Sequence, residues 1–254
     1  MNCKLTTLLA AVALSTISQA AFAADLPARP VYREAAVVPV VANWTGFYVG
    51  AGGGYGMYNA DSSTAGVGTS VPFASDNGRA GGRGWFGTVQ IGYDYQWGSW
   101  VTGLFADYEF SSIKGTIGEL SGPGLVPFKQ NSAWAAGGRI GYLITPQLLS
   151  YFSGGYTNAR FVAGAENLNG GAFSGVTWPD QNFSGYFLGS GTEIMIAPGW
   201  FVKSEYRYSS FSSKTINGAI GAPAPAGLTS INMSIKPQVQ TISTELVYKF
   251  NWGR

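Results

Sequence analysis

Residues 200–209 read WFVKSEYRYS. The even positions are Trp200, Val202, Ser204, Tyr206 and Tyr208, and the odd ones Phe201, Lys203, Glu205, Arg207 and Ser209. Successive side chains of an extended strand point to opposite faces. One face is therefore largely apolar and aromatic, while the other holds three charges of mixed sign. A strand buried on both sides would not tolerate those charges, and a helix would scatter them around its circumference. The segment reads as a strand between two solvents, hydrocarbon on one side and a polar, self-paired lumen on the other.

The remaining composition agrees. Of 254 residues 46% are apolar, yet only 11% are charged, where a soluble domain has about 25%. Glycine (37 residues) and aromatics (15%) are abundant. After the first few dozen positions there is no apolar run of about 20 residues, as a transmembrane helix needs. Few charges, many rings and no long apolar run suit a transmembrane β-barrel, whose apolar residues are spread by alternation. The net charge of +2 is too small to point to nucleic acid.

Residues 1–23 have the layout of a secretory signal: Lys4, an apolar stretch over Leu5–Ile17, and Ala21-Phe22-Ala23 as the cleavage motif. The chain's one cysteine, Cys3, lies within it, and there is no histidine. Residues 24–43, with three prolines, read as an extended periplasmic leader, and 44–254 as the barrel domain.

Eight strands are expected. The first, WTGFYVGAGGGYGMY at 44–58, sets Phe47, Val49, Ala51, Tyr55 and Met57 against a glycine face that makes room for bulk across a narrow lumen. Trp85–Trp97 and the strand from Trp100 to Phe110 alternate with little ambiguity. Ala133–Ile144 follows, then Leu149–Val162, phased here to put Arg160 inside although both of its faces carry rings. Phe183–Ile196, the opening segment and Gln238–Phe250 complete the set. Three connections are tight (98–99, 145–148, 197–199) and four are long (59–83, 112–130, 163–182, 210–237). Short turns on the periplasmic side and long extracellular loops are the asymmetry of outer-membrane barrels. Trp97, Trp100 and Trp200 then fall at the periplasmic interface, where aromatic girdles sit.

The fold class expected is thus all-β, an eight-stranded antiparallel transmembrane barrel with four long extracellular loops and three short periplasmic turns. One register directs Asp94, Asp107, Glu109, Arg139, Arg160, Glu193, Lys203, Glu205, Arg207, Glu245 and Lys249 into the lumen. A charge facing mid-bilayer costs up to about 2–4 kcal/mol, so reversing the faces would cost on the order of tens of kcal/mol. In the fourth, fifth and sixth strands the charge itself helps to set the phase. A soluble lipocalin-like barrel or sandwich would reverse the faces and show shorter strands and more surface lysine.

At WTGFYVG (44–50), KSEYRYS (203–209) and ELVYKF (245–250), with ADLP at 24–27, the chain resembles the eight-stranded outer-membrane proteins of alphaproteobacteria, which include immunogenic and hemin-binding surface proteins. The resemblance covers roughly 40–254. It implies an integral outer-membrane protein with a structural, adhesive or host-facing role, in contact with outer-membrane lipid, lipopolysaccharide and the barrel-assembly machinery. Such barrels usually finish on an aromatic residue; here Asn251-Trp252-Gly253-Arg254 follows Phe250. Tyr248, Phe250 and Trp252, on one strand face, are the candidate aromatics of an assembly signal.

No catalytic, metal or cofactor site is expected. Without histidine or mature cysteine the usual nucleophile–base pairs and histidine metal sites are missing, and the inward acids and bases read as a salt-bridge network. Gly82-Arg83-Gly84-Trp85-Phe86-Gly87 matches G-x-G-x-x-G, but alternation rather than a helix follows it; it reads as a loop end entering a strand. Heme, or hemin, is an alternative ligand for loop aromatics (Phe73, Phe128, Phe173, Trp178, Phe211) with loop cations (Lys114, Lys129, Lys214, Lys236), without a histidine ligand. Three roles stay open at this point: a structural surface protein, a small porin, and a receptor or adhesin acting through its loops and binding host surface molecules. Eight strands enclose a filled interior, whereas an open channel needs about 16.

Overall fold

A computed structural model describes residues 43–67, 76–120, 124–163, 165–166, 176–220 and 230–250. The signal, nearly all of the leader and Asn251–Arg254 lie outside these residues. Alternating apolar and polar positions fold the described chain into strands β1 (Gly46–Val67), β2 (Asp76–Trp97), β3 (Trp100–Leu120), β4 (Gly124–Thr145), β5 (Leu148–Ala163), β6 (Ala165–Glu166), β7 (Val176–Thr177), β8 (Gln181–Ala197), β9 (Trp200–Phe211), β10 (Lys214–Ile220) and β11 (Ser230–Phe250). Eight of them, β1-β2-β3-β4-β5-β8-β9-β11, pair antiparallel in that order, and β11 pairs back onto β1 from Phe47↔Phe250 to Val67↔Ser230. Closure leaves no edge strand facing lipid, so the backbone donors and acceptors of the wall are met within it.

Three short turns join β2 to β3, β4 to β5 and β8 to β9. Gly98 and Gly199 occupy two of them at φ +59° and +77°, where a side chain would be strained. At the opposite end the strands outrun the expected boundaries. Much of 59–83 and 112–130 is strand rather than loop, and β10, β7 and β6 form a further short ladder beside the top of β11. The G-x-G-x-x-G segment likewise lies inside β2. The reason is a buried apolar row that continues up the inner wall: Tyr58, Ala60, Ile113, Phe128, Phe161, Ile216, Met233 and Ile235 pack as one cluster above the membrane-spanning zone. That row gives Gly- and Ser-rich strands a face to bury.

The outer face is apolar where the bilayer requires it. Outward-facing Ile91, Leu104, Ile140, Leu188, Ile242 and Leu246 form a belt. Aromatic rings bound it below (Tyr95, Trp97, Trp100, Tyr142, Trp200) and above (Trp85, Trp134, Tyr156, Tyr186). Tyr95 and Trp85 stand about ten residues apart on β2, or about 34 Å along the strand and about 26 Å along the axis at a tilt near 40°. That matches an apolar band of about 25 Å. Above Tyr55, β1 continues for about twelve residues and rises a further ~30 Å by the same arithmetic.

Large inward rings sit over glycines of the adjacent strand. A Cβ at Gly92 would come within 2.5 Å of the Tyr48 ring, one at Gly82 within 2.2 Å of the Tyr58 ring, and one at Gly54 within 2.7 Å of Phe86. The glycine face therefore accommodates bulk from neighbouring strands, not only from across the lumen as the sequence suggested.

In β5 the phase is opposite to the expected one. Leu149, Tyr151, Ser153, Thr157, Ala159 and Phe161 point inward, while Phe152, Tyr156 and Arg160 point outward. Rings on both faces had left only the arginine to decide, and Arg160 lies above the belt, where an outward charge meets water.

Replacing Ile91 or Leu188 by arginine is expected to destabilise the barrel by about 2–4 kcal/mol. The same change at outward-facing Asn59, above the belt, should move it by no more than about 0.5 kcal/mol. Denaturant unfolding in lipid vesicles measures both.

Candidate functional site in the barrel interior

Ten of the eleven charges assigned to the lumen lie buried in it: Asp94, Asp107, Glu109, Arg139, Glu193, Lys203, Glu205, Arg207, Glu245 and Lys249. Arg160 does not. Its side chain is 54% exposed on the outer wall, and its Nη2 pairs with Asp180 at 2.8 Å. The interior therefore holds six carboxylates against four cations, not the near balance expected.

The charges fall into three groups along the axis. Nearest the periplasm, Arg139 donates from Nε to Asp94 at 2.9 Å and from Nη1 to Glu193 at 2.8 Å. Lys249 pairs with Asp94 and, at 3.1 Å, with Glu193. Asp94, Arg139, Glu193 and Lys249 come from four different strands. The Tyr48 ring lies 4.9 Å from the Arg139 guanidinium and 4.8 Å from the Lys249 ammonium, a cation–π geometry for both.

In the middle, Lys203 of β9 pairs with Glu245 of β11 at 3.0 Å and donates to Gln90 Oε1 at 2.6 Å. Higher still, Arg207 forms a two-pronged pair with Asp107 (3.0 and 2.9 Å) and donates from Nε to Glu205 at 2.9 Å. The Tyr151 hydroxyl donates to the other Glu205 oxygen at 2.8 Å, and the Phe187 ring lies 4.5 Å from the Arg207 guanidinium. Glu109 is the loosest member, 3.9 Å from Arg207.

Apolar layers cap this column. At the periplasmic end Trp44 is fully buried, its ring 4.8 Å from Phe201 and its Nε1 donating to the Pro146 carbonyl at 3.2 Å. At the other end Phe128 and Phe161 stack 4.8 Å apart, and the Tyr58 hydroxyl donates to the Phe128 carbonyl at 3.0 Å. These layers go beyond the expected charge network, because Trp44 and Phe201 share the inward face with glycines and charges, and Phe128 lies beyond the expected strand boundaries. Of the aromatics considered for heme, Phe128, Trp178 and Phe211 point into the upper cluster, while Phe73 and Phe173 lie outside the described residues.

Carboxylates dominate the column, but no group of three or more Asp, Glu, His or Cys among the described residues is arranged to hold a metal ion. The space beside Glu109, Gln130 and Thr241 is a cavity of about 10 Å³, room for about one water. At the end of β11, Tyr248 and Phe250 lie with ring centres 5.0 Å apart, Phe250 facing outward, and Tyr248 packs on Trp200 at 4.9 Å. Trp252 lies outside the described residues.

A closed, lipid-girdled barrel with a plugged and ion-paired interior defines an integral outer-membrane β-barrel protein. The outer membrane protein beta-barrel domain family matches residues 8–250, and the chain belongs to that family. It is 30% identical over 221 residues to the 31 kDa outer-membrane immunogenic protein of Brucella melitensis, covering 82% of this chain and 84% of that one. It is also 30% identical over 184 residues to a 22 kDa outer membrane protein of Rhizobium leguminosarum bv. viciae, covering 72% and 71%. Among solved structures, the outer membrane protein OprG of Pseudomonas aeruginosa shares the fold: TM-score 0.54, 14% identity, 82% of this chain and 99% of that one. The protein resides in the outer membrane.

Removing one partner of a buried pair leaves the other uncompensated, at a cost of about 3–5 kcal/mol. Arg207→Ala, which strands Asp107 and Glu205, is expected to lose that much in denaturant unfolding in vesicles. Glu109→Gln, which removes a loosely paired carboxylate from an interior already rich in them, should stay within about 1 kcal/mol of the parent protein. Arg160→Ala, at an exposed pair, should also stay within about 1 kcal/mol.

Proposed function

We propose that this protein is a non-conducting, non-catalytic element of the outer membrane that stiffens the envelope and presents its extracellular strands to the surroundings. One observation carries the reading: the side chains of Asp94, Arg139, Glu193, Lys203 and Lys249 have between 0% and 2% of their surface exposed, although they lie in the middle of a barrel. An aqueous pore would wet them. Apolar layers around Trp44 below and Phe128 above would have to open before an ion or solute could pass. The guanidinium and ammonium donors are committed to carboxylates and, for Lys203, also to Gln90. Glu109 is the loosely held carboxylate, and the chain has no histidine to pair with it as a nucleophile–base system. The strands that rise above the upper aromatic ring favour a display role, and the name of the Brucella relative, an immunogenic protein, fits a chain exposed at the cell surface.

Refolded into a planar lipid bilayer, the protein is expected to give no stable single-channel steps over the bare membrane. Steady unitary conductance would favour the small-porin reading instead.

A further inference from the structure

On the outer wall just above the upper aromatic ring, three neighbouring strands each carry an outward cation: Arg83 on β2, Lys114 on β3 and Lys129 on β4. Arg83 is directly opposite Lys114 in the strand register, and Lys114 directly opposite Lys129. Arg83 and Lys114 are exposed and Lys129 half-buried. Opposed residues of an antiparallel pair hold their Cβ atoms about 4.5–5.5 Å apart, and like charges placed there repel.

No salt bridge among the described residues includes any of the three. The flanking register partners are uncharged: Met57 beside Arg83 and Val162 beside Lys129. Among the other described cations Lys214 stands opposite Ile235 without a carboxylate, but the rest are matched. Arg160 has Asp180, Lys236 stands opposite Asp61, and every interior cation touches at least one carboxylate. Among the described residues nothing neutralises the Arg83–Lys114–Lys129 ladder, which leaves it open to an anion from outside the chain.

Its height identifies the source of the anion. Arg83 stands two residues above Trp85, about 5 Å along the axis. The headgroup layer extends roughly 5–8 Å beyond the hydrocarbon on each side, so the ladder lies level with headgroups. Directly below it the wall is apolar, with Trp85 and Phe110 facing outward. Arginine holds phosphate oxygens through two parallel N–H donors, and lysine adds point charges. We infer that Arg83, Lys114 and Lys129 form a binding site for the phosphate groups of an outer-leaflet glycolipid, lipopolysaccharide, whose acyl chains lie against Trp85 and Phe110. The site is on the outside of the barrel and holds whether or not the interior conducts.

The test uses the full protein refolded in detergent, with purified bisphosphorylated lipid A and its dephosphorylated form as probes in mixed micelles, binding measured by titration calorimetry. The wild-type protein should bind the phosphorylated form at least about tenfold more tightly. Replacing Arg83, Lys114 and Lys129 together by glutamine should bring that preference to within about twofold, with the shift between boiled and unboiled gel mobility reporting that the barrel still folds. Lys114→Gln alone, the central rung, should lose at least about threefold, and Lys214→Gln should lose none. The assignment is overturned if wild type does not distinguish the two lipids, if the triple and single ladder variants keep the preference, or if a lipid-free sulfated polysaccharide binds the same three cations as tightly.

Discussion

A barrel wall one strand thick has lipid on one side, so each ionisable group in its spanning part must turn inward and find a partner there. The pairing of Arg139 with Asp94 and Glu193, and of Arg207 with Asp107 and Glu205, meets that constraint. Four strands contribute to the Asp94–Arg139–Glu193–Lys249 group alone. A slip of one residue in any of them would put a charge into hydrocarbon and leave its partners unmatched in the lumen. The ionic column thus fixes register as well as filling space. Its excess of two carboxylates lies in the Arg207 group, where one guanidinium faces Asp107, Glu109 and Glu205 and Glu109 is held most loosely.

Charge alone does not close the tube. Tyr48 and Tyr151 reach from the wall over inward glycines, Gly92 and Gly191, and bring their rings close to the Arg139 guanidinium. Aromatic faces make dry contacts with cations that carboxylates already hold. Trp44 and Phe201 below, and the Phe128–Phe161 stack above, shield the column from water at both ends. Salt bridges gain strength as water is excluded, so the apolar caps and the ionic middle support each other. The same logic ties structure to function, since a plug built of pairs and rings suits a wall element better than a conduit.

How much of this was legible depended on how sharply each strand separated its two faces. In β2, β3, β9 and β11 the outward face within the bilayer is mainly bulky and apolar and every charge at that depth lies on the other face, so the phase follows from the apolar face alone despite inward Phe105, Phe201 and Val247. In β5 the inward Tyr151 and Phe161 are as apolar as the outward Phe152 and Tyr156, and the charge rule misassigned Arg160 because it applies only within the bilayer. The upper strands were read as loops because their outward residues, such as Asn59 and Ser112, are small and polar. Their inward row of Tyr58, Ile113, Phe128, Ile216 and Ile235 kept the period of two and would have revealed them. The partners within the ionic column were beyond sequence reading, since which carboxylate meets Arg139 is set by how strands distant in the chain come together around the axis.

The claim that one face meets lipid and the other a dry, self-paired lumen is tested most directly by depth-sensitive fluorescence. In a background lacking Cys3, single cysteines at the adjacent pairs Gln90/Ile91, Phe187/Leu188 and Thr241/Ile242 are labelled before refolding into vesicles that contain brominated lipid. The account predicts strong quenching at Ile91, Leu188 and Ile242 and little at Gln90, Phe187 and Thr241. Equal quenching within the pairs, or stronger quenching at Gln90 and Thr241, would contradict it.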